Sequence, residues 1–400
     1  MTKKAFEPKA IGNILFKNRI IRSATHEGMA DDEGFATNDL KKLYVRLAKG
    51  GAGGIITGYS SVQPDGKSPL YNMTMIDRDE CIPKFREITD AVHEFRTPII
   101  MQIAHCGRQT RSKVTGLPTV APSAVRDNFY NEDLPKALCA DEINIIIDNF
   151  VSAIVRAKKA GFDGVQIHGA HGYLLSQFLS SHSNRRKDEW GGTTQNKYRI
   201  ISEIYKRAQD LLGDYPILIK ISAHDGQKNG VRVNEAVQIA KLLEGSGCAG
   251  IEVSSGVIED GLYTIRGEVL PGDAAMAYTF KYKKLPLWAK KIATPIIKRL
   301  IKQPKPLLKY NLDAAIQIKK AVDIPVLVVG GINNISDINH IVENENIDFV
   351  SMSRPFITQS DIVKRFEQGS QTQSKCILCN YCVIIGEERP LKCYQGKLPN

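Results

Sequence analysis

Short apolar runs alternate along the chain with longer stretches in which apolar residues recur every three or four positions. The runs predict strands at 20–24, 54–59, 98–103, 164–168, 217–222, 250–253, 325–329 and 349–353. Several, such as IPVLVV, have no polar member, the pattern of a strand buried on both faces. Among the amphipathic stretches, 141–160 and 197–212 show the helical period best, and AGFDG and GSGCAG supply stop signals before the next strand. Eight such units predict an α/β protein built as a (β/α)8 barrel, with a doubly wound sheet as the structural alternative. Two connections, 104–140 and 254–312, are too long for simple crossovers. In a barrel both leave from the C-terminal end of the strands, where active sites are built. The expected division is a barrel over residues 1–370, including the 254–312 insertion, and a tail over 371–400.

Composition narrows the function classes. With 42% hydrophobic and 24% charged residues in 400, the chain can bury a core and is not of a disordered type. No apolar run is long enough to span a bilayer. The opening MTKKAFEPKA has no apolar signal core, so a cytoplasmic protein is expected. The net charge of +11 is concentrated: residues 281–309 hold ten Lys or Arg and no acid, leaving the remainder close to neutral. That argues against a nucleic-acid binder. Within the segment Leu285, Trp288, Ala289, Ile292, Ala293, Ile296, Ile297, Leu300 and Ile301 keep helical spacing, and Pro295 should kink or split the helix. Three readings stand. It is a basic two-helix cover with its apolar stripe packed inward; or a dock for an anionic substrate such as an acyl-CoA or for an acidic redox protein; or a peripheral membrane contact, which Pro295 and the modest length disfavour.

Two clusters carry candidate chemistry. His168 and His171 stand just past the fourth predicted strand, followed by Tyr173. Two imidazoles so spaced can converge on one acceptor, and a phenol beside them can deliver a proton. Zinc ligation or core packing are the plain alternatives, and no HExxH pattern supports a zinc hydrolase. Cys376, Cys379, Cys382 and Cys393 gather in the tail, whereas Cys81, Cys106, Cys139 and Cys248 are scattered. Without an export signal such a cluster reads as metal or iron–sulfur ligation rather than disulfides.

The segment HGAHGYLLSQFLSSHSNRRKDEWGG from His168 resembles the substrate-binding stretch of the old yellow enzyme family of FMN-dependent ene-reductases. Further resemblances fall in family order: Ile11-Gly12 with Lys17-Asn18-Arg19-Ile20, Gly51-Ala52-Gly53-Gly54, the run from Met101 to Arg108, Val329-Gly330-Gly331-Ile332, and Ser351-Met352-Ser353-Arg354. The tail is similar to the iron–sulfur motif of the 2,4-dienoyl-CoA reductase and trimethylamine dehydrogenase branch, though its middle and last gaps are each one residue shorter.

The resemblance implies roles. Gly330, Gly331, Ser353 and Arg354 would hold the FMN phosphate. Lys220 would face the N1 and C2-carbonyl side of the ring, and Gln102 its pyrimidine edge. Ser23, Ala24, Thr25 and His26 would lie beside the ring, with Gly58 and Tyr59 across from strand two. NAD(P)H would reduce FMN. An α,β-unsaturated carbonyl compound would then set its oxygen between His168 and His171, take hydride at the β-carbon and receive a proton from Tyr173. The chain departs from many relatives at Thr25-His26, at the bulky Tyr59, and at Lys220 where some carry arginine. His26 would either hydrogen-bond the flavin or pack beneath it. For the cysteines a [4Fe–4S] cluster, a zinc ion on four thiolates and four free thiols all stay open. The absence of a GxGxxG fingerprint leaves three arrangements: direct reduction by NAD(P)H, a separate protein feeding the cluster, or a structural site. The alternative functions are therefore an FMN/iron–sulfur electron-transfer subunit and an amine dehydrogenase-like oxidoreductase; a homo-oligomer is compatible with each.

Overall fold

The structure, a computed structural model, describes residues 3–130, 133–260, 272–280, 282–300 and 307–399. Eight parallel strands form the centre: β1 (Ile20–Arg22), β2 (Gly54–Ile56), β3 (Ile99–Ala104), β4 (Gly164–Gly169), β5 (Ile217–Ser222), β6 (Ile251–Ser254), β7 (Val326–Val329) and β8 (Phe349–Met352). Neighbours pair all the way round. Ile21 lies opposite Gly54, Ile55 opposite Ile99, Gln102 opposite Gln166, His168 opposite Lys220, Lys220 opposite Glu252, Val253 opposite Val328, Val328 opposite Val350, and Val350 opposite Ile20. The sheet closes on itself, so the barrel expectation holds and the doubly wound alternative falls. Every predicted strand is present. The first ends at Arg22, short of its apolar pattern, although the Ser23 N–H still donates to the Met352 carbonyl at 2.9 Å.

The two-residue period of each strand sorts its side chains. Ile20, Ile55, Met101, Ile167, Ile219, Val253, Val328 and Val350 belong to the large cluster shared with the surrounding helices. Their alternates Ile21, Ile56, Ile100, Leu218, Leu327 and Phe349 form a second cluster inside the barrel. An antiparallel hairpin of Lys9–Ile11 and Ile14–Phe16 plugs that end with Ile11, Ile14 and Phe16. Two residues further along the same strands the interior turns polar: Ser23, Gln102, Lys220 and Ser351, with Val329. The helices expected at 141–160 and 197–212 are Ala140–Lys159 and Thr194–Leu212.

After β6 come two helices, Gly272–Tyr278 and Leu287–Leu300. Pro295 lies inside the second without splitting it. Leu287, Trp288, Ile292 and Ile296 are exposed, so among the described residues the apolar stripe is not packed inward. Lys281, Ile301, Lys302 and Lys305 lie outside the described residues, as do the side chains of Ile297, Lys298, Arg299 and Leu300. The tail folds back over the same end of the barrel. Its helix Tyr381–Ile385 packs Ile384 and Ile385 on Ala274, and the Tyr381 hydroxyl donates to the Asp273 carboxylate at 2.9 Å. The Leu391 N–H donates to the Glu27 carbonyl at 2.7 Å. Among the described residues no helix is long and apolar enough to cross a membrane.

Candidate active site

The polar layer above the barrel plug is one connected network. Gln102 Nε2 donates to Gln166 Oε1 at 2.7 Å, and Gln166 Nε2 donates to Glu252 Oε2 at 2.8 Å. Ser23 Oγ donates to Glu252 Oε1 at 2.7 Å. Lys220 Nζ donates to Ser23 Oγ at 3.0 Å and lies 3.2 Å from Glu252 Oε2. A fully buried carboxylate persists when paired and hydrogen-bonded like this. The network orients its members: Gln102, with one amide N–H given to Gln166, keeps its other N–H and Oε1, and the third proton of Lys220 is left over. Replacing Glu252 by Gln keeps the shape but strands the Lys220 charge. It is expected to lower the unfolding free energy by roughly 1–3 kcal/mol, read by denaturant titration.

This layer floors a cavity at the C-terminal end of the strands, and Ser23, Gln102 and Lys220 line it. One wall comes from the end of β4. His171 and Gly172 take left-handed φ angles of 61° and 79°, which reverse the chain into helix Leu174–Leu179. A left-handed histidine is strained; here it brings three side chains together. The His168 ring centre lies 5.1 Å from that of His171 and 4.8 Å from that of Tyr173. His168 Nδ1 accepts the Ala170 N–H at 3.3 Å, so Nε2 carries the ring proton. His171 is held by Ser254 Oγ, 2.8 Å from Nε2, and by Ser222 Oγ, which accepts its N–H at 3.0 Å.

Burial, then Lys220, lowers the His171 pKa to about 3. Burial, then the neighbouring His171, pushes His168 well below its ordinary value. Both rings are therefore neutral at physiological pH, and His168 keeps its Nε2–H as a donor. Turnover in this cavity is expected to show no titration of His168 or His171 between about pH 5 and 8 in stopped-flow pH profiles; an inflection near 6.5 would contradict this assignment. The depressed pKa also ties stability to pH. The contribution is complete above the unfolded value and is lost as pH falls toward 3.

The Tyr173 hydroxyl donates to the Tyr59 hydroxyl at 3.0 Å, and Tyr59 lies 3.1 Å from Ser68 Oγ. Burial raises both phenols, so each keeps its proton. Tyr59 thus sets a second phenol against Tyr173, with ring centres 5.2 Å apart. His26 packs against the Tyr59 ring at 5.5 Å, with Nε2 2.7 Å from the Tyr71 carbonyl oxygen.

The opposite end of the cavity suits an anion. Gly330 and Gly331 follow β7 with φ of 129° and 67°. A Cβ on Gly331 would come 2.5 Å from the Leu307 carbonyl oxygen. Ser353 Oγ lies 2.6 Å from Thr25 Oγ1, and Arg354 opens helix Arg354–Thr358. Ser351 Oγ lines the cavity buried and without a hydrogen-bond partner among the described residues. A cation, glycine backbone and an orphaned hydroxyl at one end, with amide and ammonium groups on the floor, match the phosphate and the polar ring edge of FMN.

All the flavin and catalytic residues expected from sequence line this cavity except Gly58. The Gly58 N–H donates to Glu27 Oε1 at 2.9 Å, and a Cβ there would collide with that carboxylate. Glu27 also pairs with Arg22 at 2.7 Å and accepts from the Tyr44 hydroxyl at 2.8 Å. This buried group fixes the loop that carries Ser23 to His26. Sequence reading did not assign Glu252, Ser254, Ser351, Tyr310, Leu378 or Val383. A charged residue inside the apolar run IEVS was the available signal for Glu252. Leu378 and Val383 reach the cavity by a long-range fold with no local sign.

The four tail cysteines line a second cavity together with Arg354 and Asn380. Leu378 and Asn380 take left-handed φ of 57° and 61°, which wraps the chain around it. No three Cys, His or acidic residues converge as a single-ion site requires, among the described residues. Arg354 Nη1 donates to Asn380 Oδ1 at 2.8 Å, and Arg354 lines both cavities.

Comparison with known proteins fits this geometry. A family model described as NADH:flavin oxidoreductase / NADH oxidase matches residues 4–260 and 265–373. An NADH oxidase of Thermoanaerobacter brockii is 34% identical over 385 residues, 95% of this chain; the chain spans about half of that relative's length, 53%. A solved 2-naphthoyl-CoA reductase superposes with a TM-score of 0.81 at 23% identity, covering 98% of this chain and 57% of its own. An old yellow enzyme homologue from Zymomonas mobilis superposes at 0.74 with 24% identity, covering 98% of both chains.

Proposed function

Because the chain belongs to the NADH:flavin oxidoreductase / NADH oxidase family, and is thereby an FMN-dependent oxidoreductase, we propose that it reduces the C=C bond of an α,β-unsaturated carbonyl compound with electrons from NAD(P)H. The observation that carries this reading is the convergence of neutral His168, neutral His171 and protonated Tyr173 on a cavity floored by Gln102 and Lys220.

FMN, when bound, supplies the hydride. The chain's own residues do the rest. Arg354, Ser353, Gly330, Gly331 and Ser351 hold the phosphate. Lys220 offsets negative charge at the ring while Glu252 keeps that ammonium in place. His168 and His171 hold the substrate carbonyl oxygen and stabilise its enolate-like charge; loss of such a donor costs about 10²–10³ in rate. Tyr173 passes its hydroxyl proton to the α-carbon. Neutral donors suit a carbonyl acceptor better than an amine, which places the amine dehydrogenase reading second. The likeness in fold to a 2-naphthoyl-CoA reductase supports including acyl-CoA thioesters among the substrates to be tried.

The tail would hold a [4Fe–4S] cluster. Four cysteines lining one cavity supply the four thiolates such a cluster takes, and a zinc on the same four thiolates is the alternative that metal analysis separates. A cluster there would share Arg354 with the flavin cavity and could pass electrons singly to or from a partner protein. An anaerobic absorbance spectrum with iron and zinc analysis tests the cofactors, and bleaching by NAD(P)H followed by recovery with an activated enone tests the reaction. A flavin that bleaches but does not recover with any enone would overturn the substrate class. One zinc and no iron would overturn the cluster.

A further inference from the structure

Helix Leu287–Leu300 presents its apolar side to solvent. Leu287 is 78% exposed, Trp288 69%, Ile292 58% and Ile296 49%. Trp288, Ile292 and Ile296 follow one another at four-residue intervals, so they form one stripe with Leu287 at its end. The side turned to the protein carries Ala289, Ala293 and Thr294, all partly buried. Scattered exposed apolar residues are ordinary; a contiguous stripe of this size marks a contact surface.

Charge identifies what it meets. Lys283, Lys284 and Lys291 are exposed around the stripe, and Lys290 reaches back to the Lys283 carbonyl oxygen at 2.8 Å. Lys283 pairs with Glu388 in the tail; the segment itself holds no acidic residue between 281 and 309. A second copy meeting this face about a two-fold axis would set lysines against lysines. An acidic protein would answer the lysines but leave Trp288 and the isoleucines to find a matching pocket. An anionic bilayer answers both: phosphates for the ammonium groups, and the headgroup boundary for a tryptophan and branched aliphatic chains. Fourteen residues are too few to span, which fits a helix lying in the surface.

We propose that Leu287–Leu300 seats the protein on an anionic phospholipid surface. Leu287, Trp288, Ile292 and Ile296 enter the headgroup boundary, and the lysines lie against lipid phosphates. The helix belongs to the insertion that leaves the barrel beside the catalytic cavity, with Phe280 stacked on Tyr130 at 5.7 Å, so that end of the barrel would face the lipid.

The test uses the full flavin-loaded chain with vesicles of phosphatidylcholine alone or mixed with phosphatidylglycerol. The chain has two tryptophans, and the other, Trp190, is buried, so a change in emission reports Trp288. Expected are co-sedimentation and a blue shift with the mixed vesicles, both weakened by salt. Each lysine neutralised, as in Lys284→Gln or Lys291→Gln, should weaken binding by about fivefold. Trp288→Ser with Ile292→Ser should weaken it by at least about tenfold. These positions are exposed, and flavin absorbance checks that the variants are folded. Equal pelleting with and without vesicles overturns the proposal, as does pelleting of the double variant like the native chain. A concentration-dependent doubling of mass without lipid, abolished by the same double variant, overturns it in favour of a second copy.

Discussion

Replacing Tyr173 by Phe is expected to slow reoxidation of the reduced enzyme by an enone by about 10²–10⁴, while reduction by NAD(P)H stays near the native rate. On the proposed mechanism the two half-reactions separate because the hydroxyl would serve proton delivery to carbon and nothing the nicotinamide needs. The phenol is protonated at every working pH, since burial raises it well above its ordinary value, and it points at Tyr59 across a 3.0 Å hydrogen bond. The ring stays in the variant, so the packing against His168 at 4.8 Å survives. Anaerobic stopped-flow absorbance resolves the two steps. Equal loss in both would make Tyr173 a shaping residue rather than the acid.

Serine at both Cys379 and Cys382 is expected to abolish bound iron, from about four per chain to near none, together with the broad visible absorbance of a cluster. The effect is all or none because a cubane that loses two of four thiolates has too few ligands to persist. Metal analysis and absorbance on anaerobically purified protein read it. An unchanged iron content would show that these cysteines do not ligate it. Flavin content measured on the same samples adds a second reading, because Leu378 and Val383, set among the cysteines, form part of the flavin cavity wall.

How much of this was legible in the sequence follows from range. The strands could be read because each is an apolar run buried on both faces, and IPVLVV states that locally. His168, His171 and Tyr173 could be read because they follow one another within six residues of β4. The hairpin plug was not assigned: Lys9–Ile11 and Ile14–Phe16 are too short to carry a period. Glu252 was passed over because its partners Ser23, Gln166 and Lys220 come from three other strands. The apolar spacing around Trp288 predicted a stripe but not its direction, since period alone does not say which side of a helix meets the protein. The tail's cysteines were visible as a motif, whereas its return to the barrel depends on contacts such as Tyr381 with Asp273 that no spacing encodes.

That return makes the cavity wall depend on the tail. The eight strands pair without any residue beyond Met352, so the barrel can form and admit FMN while the wall is still incomplete. The tail completes the wall with Leu378 and Val383 and sets Asn380 on Arg354. Whatever free energy a cluster lends to flavin retention, the flavin must return to the cluster in equal measure. If the tail holds the proposed cluster, damage to it would surface first as a leak of flavin.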